Sequence, residues 1–90
     1  MITRCTIPAD VACAAVEDGT VVLHMGTKRY YSLNETGAAI WRMLEDEVPI
    51  RDIPARLSAE YDVAVDDAEL AVGELLATLA EQQLLIVEGE

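Results

Sequence analysis

Ninety residues are enough for one small domain, which we expect to span residues 1–90. A composition of 52% hydrophobic and 26% charged residues is that of a globular chain and excludes a disordered one. Seventeen acidic residues against six basic ones give a net charge of −11, and a surface of that sign repels nucleic-acid phosphates and anionic membranes.

The sequence shows no targeting segment and no membrane span. Its first residues lack the basic and then apolar pattern of a secretory signal, and no apolar run approaches the ~18 residues that cross a bilayer. Cys5 and Cys13 have only His24 in support, which favours two reduced thiols over a metal site. We therefore expect a cytoplasmic protein without a bound metal or cofactor.

The first third of the chain has the pattern of a β-sheet. Residues 1–10 give a weak strand signal, typical of an edge strand or a flexible arm. Two β-prone runs, 11–16 and 21–25, flank an Asp-Gly pair at positions 18–19, which favours a type I′ hairpin turn. A third run covers 28–33. The sequence thus predicts a three-stranded antiparallel meander.

The apolar period changes from strand-like to helical after Leu33. Asn34 or Thr36 can cap a first helix over about 35–44, because a side-chain oxygen there can accept a hydrogen bond from a free backbone N–H. Trp41 is the only tryptophan and lies on the apolar stripe of this helix. We expect it to anchor the helix to the sheet.

Two further helices are predicted after the first. The second covers about 51–61, and Asp66 or Asp67 is expected to cap the third and longest, which reaches about residue 83. Residues 84–87 then form an apolar tail, packed on the helices or added as a small strand. Three strands followed by three helices predict an α+β fold with a winged-helix-turn-helix-like bundle.

The sequence carries no motif of an enzyme. It has one histidine, no Ser-His-acid set, no Gly-rich phosphate loop and no cluster of metal ligands. The helix-turn-helix shape raises DNA binding or transcriptional regulation as an alternative, with helix three as the recognition helix. That helix has acidic residues and no Lys or Arg, so phosphate repulsion opposes this alternative.

Peptide binding is the third hypothesis, and the pattern of helix three supports it. We assign the core stripe of this helix to Ala68, Ala71, Val72, Leu75 and Leu79, with Leu76 at its border. The far side, where a surface helix should be polar, carries Leu70, Gly73, Ala77 and Ala80. Because Ala is the best helix former, an ordinary helix explains the two alanines equally well, whereas Leu70 and Gly73 favour a binding face.

The predicted third strand offers a second wall for a bound peptide. If it lies at a sheet edge, its free N–H and C=O groups can pair with an incoming extended peptide, while side-chain pockets give specificity. Tyr30 and Tyr31 point to opposite faces, so one can pack inward while the other lines a groove. Two tyrosines on a stable sheet are an equally good explanation of this pair.

The segment from Gly26 to Leu44 carries a family resemblance. Its pattern, Gly-x-x-x-Tyr-Tyr-x-Leu-Asn-x-x-Gly-Ala-x-Ile-Trp-x-x-Leu, resembles the PqqD-like proteins, the peptide-recognition elements of ribosomal natural-product pathways. Later patterns at 53–61 and 75–85 are similar to the second and third helices of that family, and the resemblance covers 11–87. Two departures, both at turns, are the acidic run at 45–48 and Gln83, where members commonly have Gly.

The resemblance implies a function as well as a fold. A precursor's leader peptide would bind as an added strand between strand three and helix three, without catalysis by this chain. The chain is most similar to the lasso-peptide versions, which work with a separate leader peptidase; versions that serve a radical-SAM enzyme are the alternative. We expect a monomer or a weak dimer, with no nucleic acid or membrane as partner. By position, the peptide-binding residues would be Lys28, Arg29, Tyr30, Tyr31, Ser32, Leu33, Leu70, Gly73, Glu74, Leu76 and Ala77.

Overall fold

The computed structural model describes residues 2–17 and 19–89. The elements in chain order are β1 (Ile2–Thr6), β2 (Val11–Val16), β3 (Gly19–His24), β4 (Tyr30–Leu33), α1 (Glu35–Glu45), a short 3-10 helix (Ile50–Asp52), α2 (Ile53–Tyr61), α3 (Val65–Glu81) and β5 (Ile86–Gly89). The expected α+β class, with a three-stranded antiparallel sheet and three helices, is confirmed. Among the described residues no helix is long and apolar enough to cross a bilayer.

The three-stranded sheet is a meander in the order β2-β3-β4, so β4 lies at one edge. Val16 pairs with Gly19, which puts Gly19 inside β3 and corrects the expected Asp-Gly turn; Asp18 itself lies outside the described residues. A Cβ at Gly19 would lie 3.0 Å from the Leu33 carbonyl oxygen. The backbone φ of Gly19 is +151°. Glycine is therefore required here for close strand packing.

The strand β4 is shorter than the expected run over 28–33, because residues 28 and 29 belong to the turn before it. Lys28 has a positive φ of 66°, and its N–H donates to the His24 carbonyl at 2.8 Å. The His24 side chain completes the turn, since its Nδ1 accepts two backbone N–H groups of the turn at 3.1 Å each. His24 therefore holds this turn together.

A second sheet joins the two ends of the chain. β1 pairs antiparallel with β5, from Arg4 opposite Glu88 to Thr6 opposite Ile86. Of the two interpretations of residues 1–10, the edge strand is therefore the one observed, and the final apolar segment continues into a strand. Leu84 precedes that strand and is fully buried in the core.

The core lies between the inner face of the meander and the helices. Trp41 is 1% exposed, which confirms it as the anchor of α1. Its indole N–H has no acceptor among the described residues, so the side chain stabilises the core through its apolar surface. The other fully buried large side chains are Val22, Ile40, Ile53, Leu57, Leu76, Leu79 and Leu84.

The starts of α1 and α3 are stabilised differently. Asn34 caps α1, because its Oδ1 accepts the Gly37 N–H at 2.8 Å. The expected aspartate cap of α3 is wrong: the helix starts after Ala64, which makes no side-chain cap. Asp66 and Asp67 lie within the first turn, where their charge is favourable at the positive end of the helix dipole.

Candidate functional site

A groove of about 320 Å³ separates β4 and the start of α1 from α3. All three elements contribute to its lining, which consists of Tyr31, Ser32, Leu33, Asn34, Thr36, Gly37, Ile40, Ala71, Glu74, Leu75 and Thr78. The strand-to-helix junction at Asn34 therefore sets the position of one wall, and α3 forms the other.

The floor of the groove is apolar because of the register of the sheet. Tyr31 lies opposite Val22, which is fully buried, so its half-buried side chain points to the inner face. Leu33 and Ile40 lie beneath it at 4% and 1% exposure. Tyr30 points to the outer face and is 67% exposed. The two tyrosines thus have different surroundings, and Tyr31 is the one that lines the groove.

The edge of β4 that faces the groove carries free backbone groups. The His24 N–H donates to the Arg29 carbonyl at 2.8 Å, which fixes the phase of the ladder between β3 and β4. Since alternate residues of an antiparallel strand bond to opposite sides, Tyr31 bonds to β3. The N–H and C=O groups of Tyr30 and Ser32 then point away from β3, where the described residues supply no partner strand.

The wall opposite β4 is one row of side chains on α3. Ala71, Glu74, Leu75 and Thr78 have the i, i+3, i+4, i+7 spacing of a single helix face. Ala71 is exposed and Leu75 is half-buried. Small side chains at Ala71 and Thr78 leave space for an extended chain between α3 and β4, while Leu75 adds an apolar contact and Glu74 a charge.

The orientation of α3 corrects the expected helix faces. The buried residues are Ala68, Val72, Leu76 and Leu79, so the core stripe is turned by about 40°, less than half a residue, from its expected position. Leu76 is 1% exposed and belongs to the core, which removes it from the groove. Ala71 and Leu75, which we expected in the core, instead face the groove.

The other expected residues of α3 lie on different faces. Glu74 lines the groove as expected. Leu70 is 64% exposed, and a Cβ added at Gly73 meets nothing within 4 Å. Ala77 is also exposed, and none of these three lines the groove. Sequence patterning therefore found the helix but selected its outer face.

The expected residues of the third strand divide in a similar way. Tyr31, Ser32 and Leu33 line the groove, whereas the side chains of Lys28, Arg29 and Tyr30 do not. The groove residues absent from the expected set are Asn34, Thr36, Gly37, Ile40, Ala71, Leu75 and Thr78. The i, i+3, i+4, i+7 row on α3 is the sequence signal that could have found four of the lining residues.

The thiols lie outside the groove and are poor nucleophiles. Both cysteines are free. Burial raises the pKa of the Cys5 thiol; burial and the nearby Glu45 carboxylate raise the pKa of Cys13. Both thiols therefore stay protonated at neutral pH. No group of three or more His, Cys, Asp or Glu side chains in the described part of the chain could hold a metal ion.

Fold and groove together define a winged-helix-like α+β domain whose open strand edge faces a helix. Residues 19–85 match the family model of coenzyme PQQ synthesis protein D (PqqD). The chain belongs to the PqqD family, which confirms the resemblance seen at 26–44.

Two solved structures are similar to this chain. The first, described as lasso peptide synthetase B1 complexed with the leader peptide, is 28% identical, with a TM-score of 0.83 over 91% of this chain and 96% of that chain. The second, described as TbiB1 in complex with the TbiA(beta) leader peptide, is 32% identical, with a TM-score of 0.79 over 93% of this chain and 95% of that chain. No match was found among curated proteins.

Proposed function

We propose that this protein binds the leader peptide of a ribosomally made precursor in lasso-peptide biosynthesis. The leader would add a strand to the free edge of β4 and pack against α3. The observation that carries the proposal is the groove between that edge and α3, whose floor is apolar and whose walls also carry polar side chains. The PqqD family match supports it, and so does the similarity to two solved complexes that contain a leader peptide.

The strand edge and the side chains of the groove would contribute differently to peptide binding. Backbone groups of Tyr30 and Ser32 pair with any extended chain, so they give affinity without reading sequence. Alternate side chains of the leader would point at Tyr31, Leu33 and Leu75, where each fully buried apolar side chain contributes about 1.5–3 kcal/mol. Sequence preference would therefore come from the floor and the α3 wall.

The protein would deliver the leader to a separate modifying enzyme and not act on it chemically. Holding the precursor near the enzyme raises its effective concentration. A leader peptidase is the enzyme we propose, because one of the similar structures is described as a lasso peptide synthetase B1 and the family resemblance pairs such proteins with a separate leader peptidase. Delivery by a monomer is sufficient, and the site of ribosomal precursor synthesis, the cytoplasm, is where it would take place.

A winged-helix DNA-binding role has less support. A recognition helix relies on Arg and Lys for bases and phosphates. The corresponding helix, α3, carries no basic residue and five acidic ones, Asp66, Asp67, Glu69, Glu74 and Glu81. A mobility shift with random duplex DNA at low salt should therefore show no retained complex.

Titration of the cognate precursor's leader peptide tests the proposal directly. The fluorescein-labelled leader peptide should show saturable polarisation with a Kd of about 1 µM or tighter. Hydrogen exchange should then show protection of the Tyr30 and Ser32 amides. Absence of saturation at about 100 µM protein would contradict the proposal. If the leader binds but leaves these two amides unprotected, only the strand-addition part of the proposal would be contradicted.

A further inference from the structure

The wall of the groove carries a single charge in the described part of the chain, the carboxylate of Glu74. Its neighbours in the row, Ala71, Leu75 and Thr78, are uncharged. Across the groove, the Asn34 side-chain oxygen accepts from the Gly37 N–H at 2.8 Å. The Asn34 oxygen is therefore engaged in the helix cap, and no described lining residue of the facing wall carries a positive charge to neutralise the carboxylate.

Among residues 2–17 and 19–89, none that lines the groove is a cation. All six basic residues precede α2's last turn, and the chain has no Lys or Arg after Arg56. With a net charge of −11, the surface around the groove attracts a basic peptide and repels an acidic one.

An added strand would bring its side chains to the groove in alternation. Side chains of a strand point to one face at every second residue. Two such residues lie about 6–7 Å apart along the strand. They therefore reach different parts of a lining that contains Tyr31 and Leu33 on one side and Glu74 on the other. Two adjacent positions of one face thus meet two different chemistries.

We infer that Glu74 is a specificity-determining residue that selects leader peptides with a Lys or Arg two residues from an apolar side chain. This inference rests on the proposed function and adds the chemistry of the preferred peptide. The apolar side chain packs on the floor, and the cation pairs with Glu74. Because Glu74 is exposed, solvent screening limits the gain to about fivefold in affinity.

A charge-matched pair of variants on α3 tests this inference. Glu74→Gln and Glu69→Gln remove the same charge from the same helix, and both residues are exposed, but only Glu74 lines the groove. Both variants are titrated with the cognate precursor's leader peptide. Glu74→Gln should weaken binding about fivefold. Glu69→Gln should change it less than about twofold, because exposed charges away from the contact are screened.

The leader itself provides the second half of the test. Each Lys or Arg of the leader is replaced in turn by Gln. For one of these leaders, the wild-type protein and the Glu74→Gln variant should bind with the same affinity. Glu74→Lys should then bind the leader with Glu at that position more tightly than wild-type protein does. This exchange distinguishes a direct pair from a general effect of net charge.

The outcomes separate the inference from the proposed function. If the wild-type protein binds the leader but Glu74→Gln and Glu69→Gln behave alike, the inference is wrong and the proposed function stands. The same holds if no single leader cation couples to Glu74, or if the segment that protects β4 contains no Lys or Arg. If the wild-type protein does not bind the leader, both fail.

Discussion

The two edges of the meander have the same backbone chemistry but different surroundings. β2 and β4 each have one side without a partner strand among the described residues. The side chains of β2 are exposed from Ala12 to Val16, whereas β4 directs Tyr31 and Leu33 into an apolar floor that α3 faces. An open edge is therefore a selective site only where packed side chains shape the space beside it.

The β2 edge is also closed at its start by the chain itself. The Val11 N–H, which points away from β3, donates to the Pro8 carbonyl at 3.1 Å. Local bonds of this kind satisfy backbone groups that would otherwise accept another strand. The difference between the edges can be tested by variants that affect both edges, one edge, or one wall of the groove.

The largest effect on stability is expected from Trp41→Ala, because this change removes core packing that supports both edges of the meander. Trp41 is 1% exposed in the core, so truncation should cost about 3–5 kcal/mol of the free energy of unfolding. That loss is a large part of the ~5–15 kcal/mol typical of a domain. Urea unfolding followed by circular dichroism measures it.

Trp41→Phe is the control for the polar part of that side chain. The indole N–H has no acceptor among the described residues, so replacing it with Phe loses packing volume and no hydrogen bond. We expect a clearly smaller loss than for Trp41→Ala. Equal losses would show that the indole N–H contributes to stability after all.

The second prediction separates the two edges. Ser32→Pro removes an N–H that points away from β3 and should weaken leader binding at least tenfold, or about 1.4 kcal/mol. Proline is tolerated at such an edge position, so the unfolding midpoint should fall only slightly. Polarisation titration and urea unfolding are measured on the same sample.

Ala15→Pro is the matched variant on the opposite edge. The ladder phase directs the Ala15 N–H away from β3, as it does for Ser32. The same chemical change at β2 should leave leader binding within about twofold of wild type. A similar loss of binding in both variants would mean that the leader does not distinguish the two edges.

The third prediction compares two leucines on α3. Leu75 is half-buried and lines the groove, so Leu75→Ala should weaken leader binding about five- to tenfold through lost apolar contact. Leu70 is 64% exposed and lies outside the groove, so Leu70→Ala should not change binding. The reverse order of effects would restore the sequence-based assignment of the binding face to Leu70.

Local chemistry made the strand-to-helix junction predictable. The Asn34 cap, the anchor Trp41 and the helical spacing after Leu33 depend on residues within a few positions of one another. The pairing of β1 with β5 was not predictable, because it joins the two ends of the chain and each strand is short. Local patterning identifies such segments as β-prone and cannot supply the partner.

The core stripe of α3 was assigned incorrectly at Ala71 and Leu75 for a physical reason. This helix contains four alanines, which fit equally well in a core and on a surface: Ala68, Ala71, Ala77 and Ala80. A helical projection of the sequence therefore shows no sharply polar side. The groove face also lies beside the core stripe and not opposite it. A half-buried residue such as Leu75 then looks like core until the opposite wall is known.

The smallest effect on stability is expected from Gly73→Ala. This variant also tests which of two faces of α3 contacts the leader. A Cβ added there meets nothing within 4 Å, so Gly73→Ala gains helix propensity without a clash. We expect the free energy of unfolding to rise by about 0.5–1 kcal/mol, as for a glycine in a helix interior. The sequence pattern instead suggested that Gly73 deepens a binding trough, in which case a methyl group would hinder the peptide. Because the groove lies on the adjacent face, leader affinity should be unchanged in polarisation titrations, and a gain in stability with a loss of affinity would return the peptide to the outer face of the helix.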